Sequence, residues 1–425
     1  MTTSLVARLA EPEIPPSTSE AVHDLRSEAA IDANAFSGLR RRAVLDGCKW
    51  DPQVGDVDTL SPFPLVLKAS VWNRIAAQAE QLTTEAIAAE EEIARRPELL
   101  GQLGLPRSLR QVLAEETPLT PAAGRVMRFD FHYTTQGWRI SETNSDVPGG
   151  FSEASCFTEM IAQHYPNLQP AGNPGGQWGN AIAEAAGPAS VVGLLSAPGY
   201  MEDHQVVAFL AARLRECGCR SYLAKPEQIF WRDGVAHLDT AWHRGPLTAI
   251  VKFYQAEWLA RLPEKCGWRY FFRGGKTCVA NPALAVISES KRFPLVWEKL
   301  STPLPTWRAL LPETRDPRNA PWSHDDGWLV KTAMCNTGDS VSIRELMEPA
   351  RWLRTRLAVR LSPGSWVAQR RFESVPVATP AGLRHVCVGV FTVNGRAAGA
   401  YARLSAKPII DFAATDVALL LENDE

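Results

Sequence analysis

The stretch Arg128 to Asp146, RFDFHYTTQGWRISETNSD, decides the fold because it reads as a two-stranded antiparallel ribbon. Aromatic and polar residues alternate over positions 128–133, and a period of two is typical of a strand with one buried face. Residues 135–137 are a natural turn, since a three-residue loop that ends in glycine is a common hairpin connection. The sequence therefore predicts a hairpin whose register is centred on Gln136.

This register places two carboxylates opposite each other. Asp130 would face Glu142, and Arg128 would face Asn144. Like charges in opposed positions, with Cβ atoms about 5 Å apart, destabilise a sheet. Two carboxylates and one amide oxygen are hard donors that suit Mg²⁺, which substrate phosphates usually complete. The spacing leaves one alternative open, a solvated pair with Arg128 or Arg139 as the counter-charge.

The composition excludes several classes of protein. The chain has 425 residues, 45% of them hydrophobic and 22% charged, and a formal net charge of −2. That balance disfavours nucleic-acid and anionic-membrane partners, which need a basic excess. No apolar stretch reaches the roughly 20 residues that span a bilayer, and the first residues lack a signal-peptide core. With its scattered cysteines, the chain is predicted to be cytoplasmic and reduced; the sequence does not predict its oligomeric state.

The N-terminal third is predicted to be mostly helical. Residues 1–35 are polar and contain proline, which favours a loosely ordered arm. Residues 36–120 form a helical segment, in which apolar residues recur at helical spacing from Val71 to Ile93. The acidic run Glu90 to Glu92 on this helix is expected to lie on a solvated face. Residues 121–160 then contain the acidic hairpin.

The remainder combines a parallel layer with an α+β region. In residues 185–280, strand, helix and strand alternate, which predicts a Rossmann-like layer. No G-x-G-x-x-G follows the first strand, so a dinucleotide-dependent oxidoreductase is disfavoured. In residues 281–425 we expect one helix over ALAVISESKRFPLVWEKL and a β-meander with a two-residue turn at Asn394 and Gly395. The predicted class is α/β plus α+β.

Several motifs together resemble the synthetase domain of glutathionylspermidine synthase, a circularly permuted branch of the ATP-grasp ligases. The segments RFDF and ETNSDVPGG are similar to its metal-binding hairpin, and GYMEDHQVVAFLA and IVKFYQAEW follow in the family's order. The segments SESKRFPLVWEKL, WLVKTAMCNTGDSV, WVAQRRF and GAYARLS are similar to its nucleotide-binding part. The resemblance spans Arg125 to Asp416. It implies an ATP-grasp fold with a Rossmann-like preATP-grasp layer.

The resemblance also implies ATP and Mg²⁺ as cofactors and gives individual residues a role. Glu202 and Asp203 would receive the amine substrate, although capping of the helix that follows them explains their positions equally well. The remaining roles are metal binding by Asp130, Glu142 and Asn144, orientation of the substrate carboxylate by Arg128, phosphate contacts by Lys291, Lys331 and the loop at Gly338, adenine contact by Gln369, and stabilisation of the tetrahedral adduct by Arg403.

The predicted function is ATP-dependent ligation of a carboxylate and an amine through an acyl phosphate, with small-molecule or peptide substrates. The alternative is a nucleotide- or partner-binding protein that keeps the fold without turnover. Departures from the family pattern motivate this alternative. Thr332 and Cys335 replace a proline and a glycine of the phosphate loop, Arg370 replaces a glutamate, and Gln255 replaces a proline. No segment resembles the amidase of bifunctional relatives.

Overall fold

The computed structural model describes residues 24–54, 57–334, 341–411 and 413–424. In chain order its strands are β1 (Leu25–Ser27), β2 (Gln53–Val54), β3 (Val57–Asp58), β4 (Leu65–Lys68), β5 (Val126–Thr134), β6 (Gly137–Asn144), β7 (Gln169–Pro170), β8 (Val191–Ser196), β9 (Arg220–Ala224), β10 (Ile229–Arg232), β11 (Val235–Asp239), β12 (Arg244–Pro246), β13 (Ala249–Phe253), β14 (Cys278–Ala280), β15 (Thr314–Arg315), β16 (Trp328–Thr332), β17 (Trp366–Arg370), β18 (Val377–Thr379), β19 (Gly382–Val393), β20 (Arg396–Ser405), β21 (Thr415–Val417) and β22 (Leu419–Glu422). Its α-helices are α1 (Ala33–Leu45), α2 (Ala69–Ala94), α3 (Pro97–Leu100), α4 (Arg107–Leu113), α5 (Thr158–Ala162), α6 (Pro174–Ala186), α7 (Met201–Glu216), α8 (Ala256–Leu259), α9 (Val286–Glu289), α10 (Pro305–Leu310) and α11 (Pro349–Leu361).

The central sheet is antiparallel and carries the acidic hairpin. Its strands run in the order β21, β20, β19, β5 and β6, and β18 pairs with β19. Phe129 and Phe131 of β5 are fully buried, as their alternation predicts. Helix α2 packs against β19 and β20. The predicted apolar stripe from Val71 to Ile93 is confirmed, since each of its seven residues is at most 3% exposed.

A second, parallel sheet lies beside the central one. Its strands run β14, β13, β8 and β9, and all three neighbouring pairs are parallel. Helix α7 connects β8 to β9, so the predicted alternation of strand, helix and strand is confirmed. Lys252 of β13 forms a buried ion pair with Asp146, which lies just after β6. This pair fixes the end of the acidic hairpin against the parallel sheet.

A small antiparallel sheet, here called the lid sheet, consists of β15, β17 and β16. Helix α11 covers it and contributes Trp352 and Val359 to a separate apolar cluster with Trp328 and Val330 of β16 and Ala368 of β17. Because this cluster is distinct from the main core, the lid sheet is a semi-independent layer. Lys331 of β16 reaches the central hairpin through a hydrogen bond to the carbonyl oxygen of Ser141.

Two local predictions require correction. The turn between β5 and β6 has two residues rather than three, because Thr134 pairs with Gly137. The helix expected over residues 283–300 is broken into α9 and short 3₁₀ segments on either side. Ser290 has an extended backbone with a ψ of 124° and its hydroxyl donates to the carbonyl oxygen of Leu103, so tertiary contacts interrupt the helix there.

Other local predictions can be placed directly. The two-residue turn at Asn394 and Gly395 is confirmed, with both φ angles positive. Residues 1–23 of the predicted N-terminal arm lie outside the described ranges, while its described part includes β1, which pairs with β4. None of the helices in the described ranges has the length and apolar character needed to cross a membrane.

Candidate active site

The hairpin contains a β-bulge at the predicted acidic position. Arg128 pairs with Asn144, as predicted, but the register shifts by one residue between Phe129 and Phe131. Asp130 consequently faces two residues of β6, Ser141 and Glu142. A bulge re-aims side chains and is common beside functional sites. Here the side chains of Asp130 and Glu142 line one cavity.

Asp130 is held by two arginines. Nε of Arg128 donates to Oδ1 of Asp130 at 2.8 Å, and Nη2 of Arg403 donates to Oδ2 at 2.8 Å. Burial alone would raise the pKa of Asp130, but Arg128 and Arg403 outweigh it and lower that pKa to about 2. Arg128 is thus a counter-charge, whereas Arg139 donates to the carbonyl oxygen of Ala309 instead.

Glu142 is held by two lysines. Its Oε2 lies 3.7 Å from Nζ of Lys291 and 3.9 Å from Nζ of Lys331. Burial would raise the pKa of Glu142, but the two ammonium groups lower it. Each of the opposed carboxylates therefore has two cations of its own. The repulsion that the sequence predicts is offset within the protein by these four charges.

The broken helix delivers Lys291 to this cavity. The backbone N–H of Lys291 donates to the carbonyl oxygen of Ala333, just after β16, at 2.9 Å. Its Nζ lies 3.3 Å from Oε1 of Glu289, whose Oε2 accepts N–H groups from Ser145 and Asp146. Lys291 is only 7% exposed, so it is not a solvated helix lysine. Glu289 fixes its ammonium group at the end of β6.

The lid sheet contributes Lys331 and Gln369, the other two residues that the sequence predicts to contact a nucleotide. Nζ of Lys331 donates to the carbonyl oxygen of Ser141 at 2.9 Å, so this lysine reaches from the lid sheet to the bulge. Gln369 donates through Nε2 to Oγ1 of Thr314 at 2.9 Å. Lys331 and Gln369 line the cavity together with Glu142, and its volume is about 100 Å³.

The donor set suits a hard cation. Asp130, Glu142 and Asn144 offer carboxylate and amide oxygens, which are the ligands that Mg²⁺ prefers. The amide Nδ2 of Asn144 lies 3.4 Å from Oδ2 of Asp130, and Glu142 lines the same cavity as Asp130. Among the residues that the structure describes, no group of three or more His, Cys, Asp or Glu could hold a metal. Waters or phosphate oxygens would have to complete the coordination shell.

A second charged cluster, missed by the sequence analysis, lies beside Arg403. Nζ of Lys49 lies 3.1 Å from Asp51, 2.6 Å from Glu153 and 3.2 Å from Asp416. Asp416 of β21 lies directly opposite Arg403 of β20 in the register of these two strands. Burial raises the pKa of Asp416 to about 6, although Lys49 opposes this effect. One lysine does not fully compensate three carboxylates. We call these four residues the Lys49 cluster.

Glu202 and Asp203 lie in the first turn of α7 next to this cluster. Burial raises the pKa of Glu202, and the nearby negative charge of Asp51 adds a smaller effect in the same direction. Burial is the main reason that the pKa of Asp203 is raised to about 7, and the negative charge of Glu202 adds to it. The backbone N–H of Trp50 donates to Gln205 and ties the segment that contains Lys49 to the same helix. The pair therefore faces an acidic region.

One predicted residue cannot be placed. Gly338 and the rest of the phosphate loop, including Cys335, lie outside the described residues. The sequence analysis also missed Glu289 and Tyr401, the latter with its hydroxyl 3.5 Å from Arg128. Glu289 precedes Lys291 by two residues, which is the one local signal that could have revealed it. Nothing in the spacing of the Lys49 cluster indicates that its members meet.

Comparisons with known proteins show the family and the fold of the chain. The family described as glutathionylspermidine synthase preATP-grasp matches residues 65–421. An apo structure of a glutathione synthetase-like effector from Globodera pallida aligns with a TM-score of 0.59 and 12% identity over 93% of this chain and all of that chain. A putative gamma-glutamylcysteine synthetase from Methylobacillus flagellatus gives a TM-score of 0.41 and 11% identity over 79% of this chain and 86% of that chain. No curated protein matches. The fold is thus of the glutathione synthetase-like type, and the chain belongs to the glutathionylspermidine synthase preATP-grasp family.

Proposed function

We propose that this chain is an ATP-dependent ligase that joins a carboxylate to an amine on a circularly permuted ATP-grasp fold. One observation carries the proposal. Glu142, at the bulge of the acidic hairpin, lies within 4 Å of both lysines expected to contact phosphate, although these come from different parts of the chain. The family match over residues 65–421 supports the same reaction class.

The chemistry proceeds in two displacements. A carboxylate oxygen of the substrate attacks the terminal phosphorus of ATP, the bond to the bridging oxygen breaks, and ADP leaves. The amine then attacks the acyl carbon, inorganic phosphate leaves, and the nitrogen loses a proton. Mg²⁺ held by Asp130, Glu142 and Asn144 would neutralise charge on the phosphates.

The protein supplies positive charge where each displacement develops negative charge. Lys291 and Lys331 would contact the phosphates, and Gln369 would contact adenine from the lid sheet. Arg128 and Arg403 would stabilise the carboxylate and the tetrahedral adduct, since fixed donors aimed at developing charge lower its free energy. Gln369 is held in its position by its hydrogen bond to Thr314 of the neighbouring strand.

The amine is proposed to enter beside Glu202 and Asp203. The raised pKa values of both carboxyls reflect burial and acidic neighbours. A bound ammonium group would favour their ionised forms. Neither side chain makes a capping hydrogen bond to the backbone in the part of the chain that the structure describes, which favours the amine role over capping.

The free thiols of the described residues fit a reducing cytoplasm.

The test combines product identification with one substitution. The purified chain is incubated with ATP, Mg²⁺ and a metabolite extract, and the amide product is identified by mass spectrometry. Glu142→Ala should abolish both ADP formation and the product, because it removes a proposed metal ligand and the partner of two lysines. Retention of activity in this variant would refute the metal assignment. Glu298→Ala, at a side chain that is 85% exposed, is the matched control and should keep full activity.

A second candidate is a non-catalytic nucleotide- or partner-binding protein with the same fold. The pairing of Asp130 with both Arg128 and Arg403 favours it, because both carboxylate oxygens already accept hydrogen bonds. Calorimetry separates the two candidates. Binding of Mg·ATP without ADP release in the presence of peptides and polyamines would favour the non-catalytic protein.

A further inference from the structure

The outer face of α11 carries an apolar stripe that no described residue covers. Leu353, Leu357 and Leu361 are 63%, 58% and 74% exposed. They stand four residues apart, so they drift by only about 40° per step around the helix and form one narrow row. Scattered exposed leucines need no explanation, but an aligned row of three on one helix marks an interaction surface.

Unpaired positive charge flanks this row. Arg360 and Arg354 lie on its two sides in a helical projection, and both are exposed. Neither they nor Arg351 and Arg356 form an ion pair within the described ranges. By contrast, two arginines close to the lid sheet form ion pairs. Arg344 pairs with Asp326, and Arg371 pairs with Glu345. Cations and apolar side chains that lack partners thus share one helix face.

We propose that this face binds an acidic amphipathic helix of a partner protein. A narrow leucine row is the seam that two packed helices share, and arginines beside such a seam pair with glutamates of the other helix. Helix α11 contains no Asp or Glu, so two copies of this chain that met through it would bring like charges together. A membrane-surface helix usually adds an exposed aromatic residue, whereas Trp352 faces the core.

The position of α11 links the partner to the lid sheet. Trp352 and Val359 pack the other side of the helix onto the strands that carry Lys331 and Gln369. A bound partner helix would therefore lie against the layer that carries two of the residues proposed to bind the nucleotide, so this link rests on the proposed function. The docking proposal does not depend on catalysis and stands even if the chain has no turnover.

The test uses two labelled helical peptides of about three heptads with leucine at positions a and d. One has glutamate at e and g, which prevents it from pairing with itself, and the other has lysine there. Fluorescence anisotropy with the full chain should show binding of the glutamate peptide. Leu353→Glu combined with Leu357→Glu should weaken binding at least tenfold, that is by about 1.4 kcal/mol or more. Leu383→Glu, at a site that is 64% exposed on β19, should leave it unchanged.

Reversing the charge of the two flanking arginines is an independent test of the same proposal. Arg354→Glu with Arg360→Glu should lose the glutamate peptide and gain the lysine peptide. The proposal is overturned if the glutamate peptide does not bind, or if the leucine pair can be changed without effect. It is also overturned if vesicles of phosphatidylcholine and phosphatidylserine bind through these leucines while the peptide does not compete. Light scattering that shows a dimer dissolved by the leucine substitutions would overturn it in favour of a second copy. Leu361→Glu serves if the double variant fails to fold.

Discussion

Nη2 of Arg403 lies 2.8 Å from Oδ2 of Asp130, so the arginine proposed to stabilise the adduct is paired with a proposed metal ligand. The two roles are coupled through this contact. Asp130 would contribute a carboxylate oxygen to Mg²⁺, and Arg403 would then be available to contact the substrate. The two arginines compensate the buried carboxylate of Asp130, because a nearby positive charge favours the ionised form.

Arg403→Lys should lower the turnover number about 100-fold or more with little change in the KM for ATP. Removal of one preorganised donor at a developing oxyanion typically has an effect of this size, and a lysine does not reproduce the planar fork of arginine. Steady-state ADP release measures both parameters. Arg396→Lys on the same strand, at a side chain that is 80% exposed, should behave like the wild type. An equal loss in both variants would contradict the assignment.

Lys49→Met should destabilise the fold by about 3–5 kcal/mol at neutral pH, because it leaves buried carboxylates without their cation. The free energy of unfolding in urea measures this loss. The deficit should shrink as the pH falls. Burial already raises the pKa of Asp416 to about 6, so this carboxyl becomes protonated and needs no cation below that pH.

Lys68→Met is the control for this experiment. Its side chain is 43% exposed and lies 3.6 Å from Asp24, so its loss should cost less than about 1 kcal/mol. A Lys49 variant that is no less stable than this control would show that Lys49 does not compensate the buried carboxylates of the Lys49 cluster.

Gly150→Ala should destabilise the protein, whereas Gly149→Ala should not. Gly150 has a φ of 94°, and a Cβ there would lie 2.5 Å from the ring of Tyr401. The backbone strain alone is of the order of 1–3 kcal/mol. Gly149 has open space at its Cβ position, although its carbonyl oxygen accepts a hydrogen bond from Arg128. Thermal unfolding of both variants measures the contrast; similar melting temperatures would contradict the close packing of Tyr401.

Asp316→Asn should loosen the lid sheet. Arg292 donates to Asp316 at 2.7 Å and to the carbonyl oxygens of Pro363 and Trp366. Burial would raise the pKa of Asp316, but hydrogen bonds from Arg318 and Arg292 hold it well below its usual range. A lowered pKa stabilises the fold above the unfolded value of about 3.9, and this contribution is lost at lower pH.

The variant should therefore lose about 1.5–3 kcal/mol at pH 7, the typical contribution of a hydrogen bond to a charged group. The difference from the wild type should narrow below about pH 4, where Asp316 of the unfolded wild-type chain is protonated. Asp325→Asn, whose side chain is 37% exposed beside Arg370, should change stability much less. A pH-independent difference would indicate that the charge of Asp316 is not involved.

Local periodicity was enough to predict much of the fold. The stripe along α2 and the turn at Asn394 and Gly395 each follow from spacing within one segment. The parallel sheet follows from the alternation of strand, helix and strand along the chain. The pairing of Arg128 with Asn144 was also correct, although the turn was not, because the bulge at residues 141 and 142 restores the register. The turn is one residue shorter than predicted, and the bulge, which the sequence does not predict, makes up for that difference.

Tertiary contacts determined what the sequence could not predict. Glu90 was expected on a solvated face, but it is 3% exposed and pairs with Arg125 at 2.7 Å. Lys291 was expected on a continuous helix, which contacts with residues 103 and 333 interrupt. The Lys49 cluster joins positions 49, 51, 153 and 416, and no periodic pattern connects residues so far apart.

The most direct test of the ligase proposal follows oxygen atoms. Once the carboxylate substrate is identified, it is labelled with heavy oxygen in its carboxyl group and incubated with the chain, ATP, Mg²⁺ and the amine. An acyl phosphate transfers one labelled oxygen to inorganic phosphate for each amide that forms, and mass spectrometry of the phosphate measures it. We expect this transfer in the wild type and none with Glu142→Ala. Unlabelled phosphate released alongside amide product would contradict the proposed reaction.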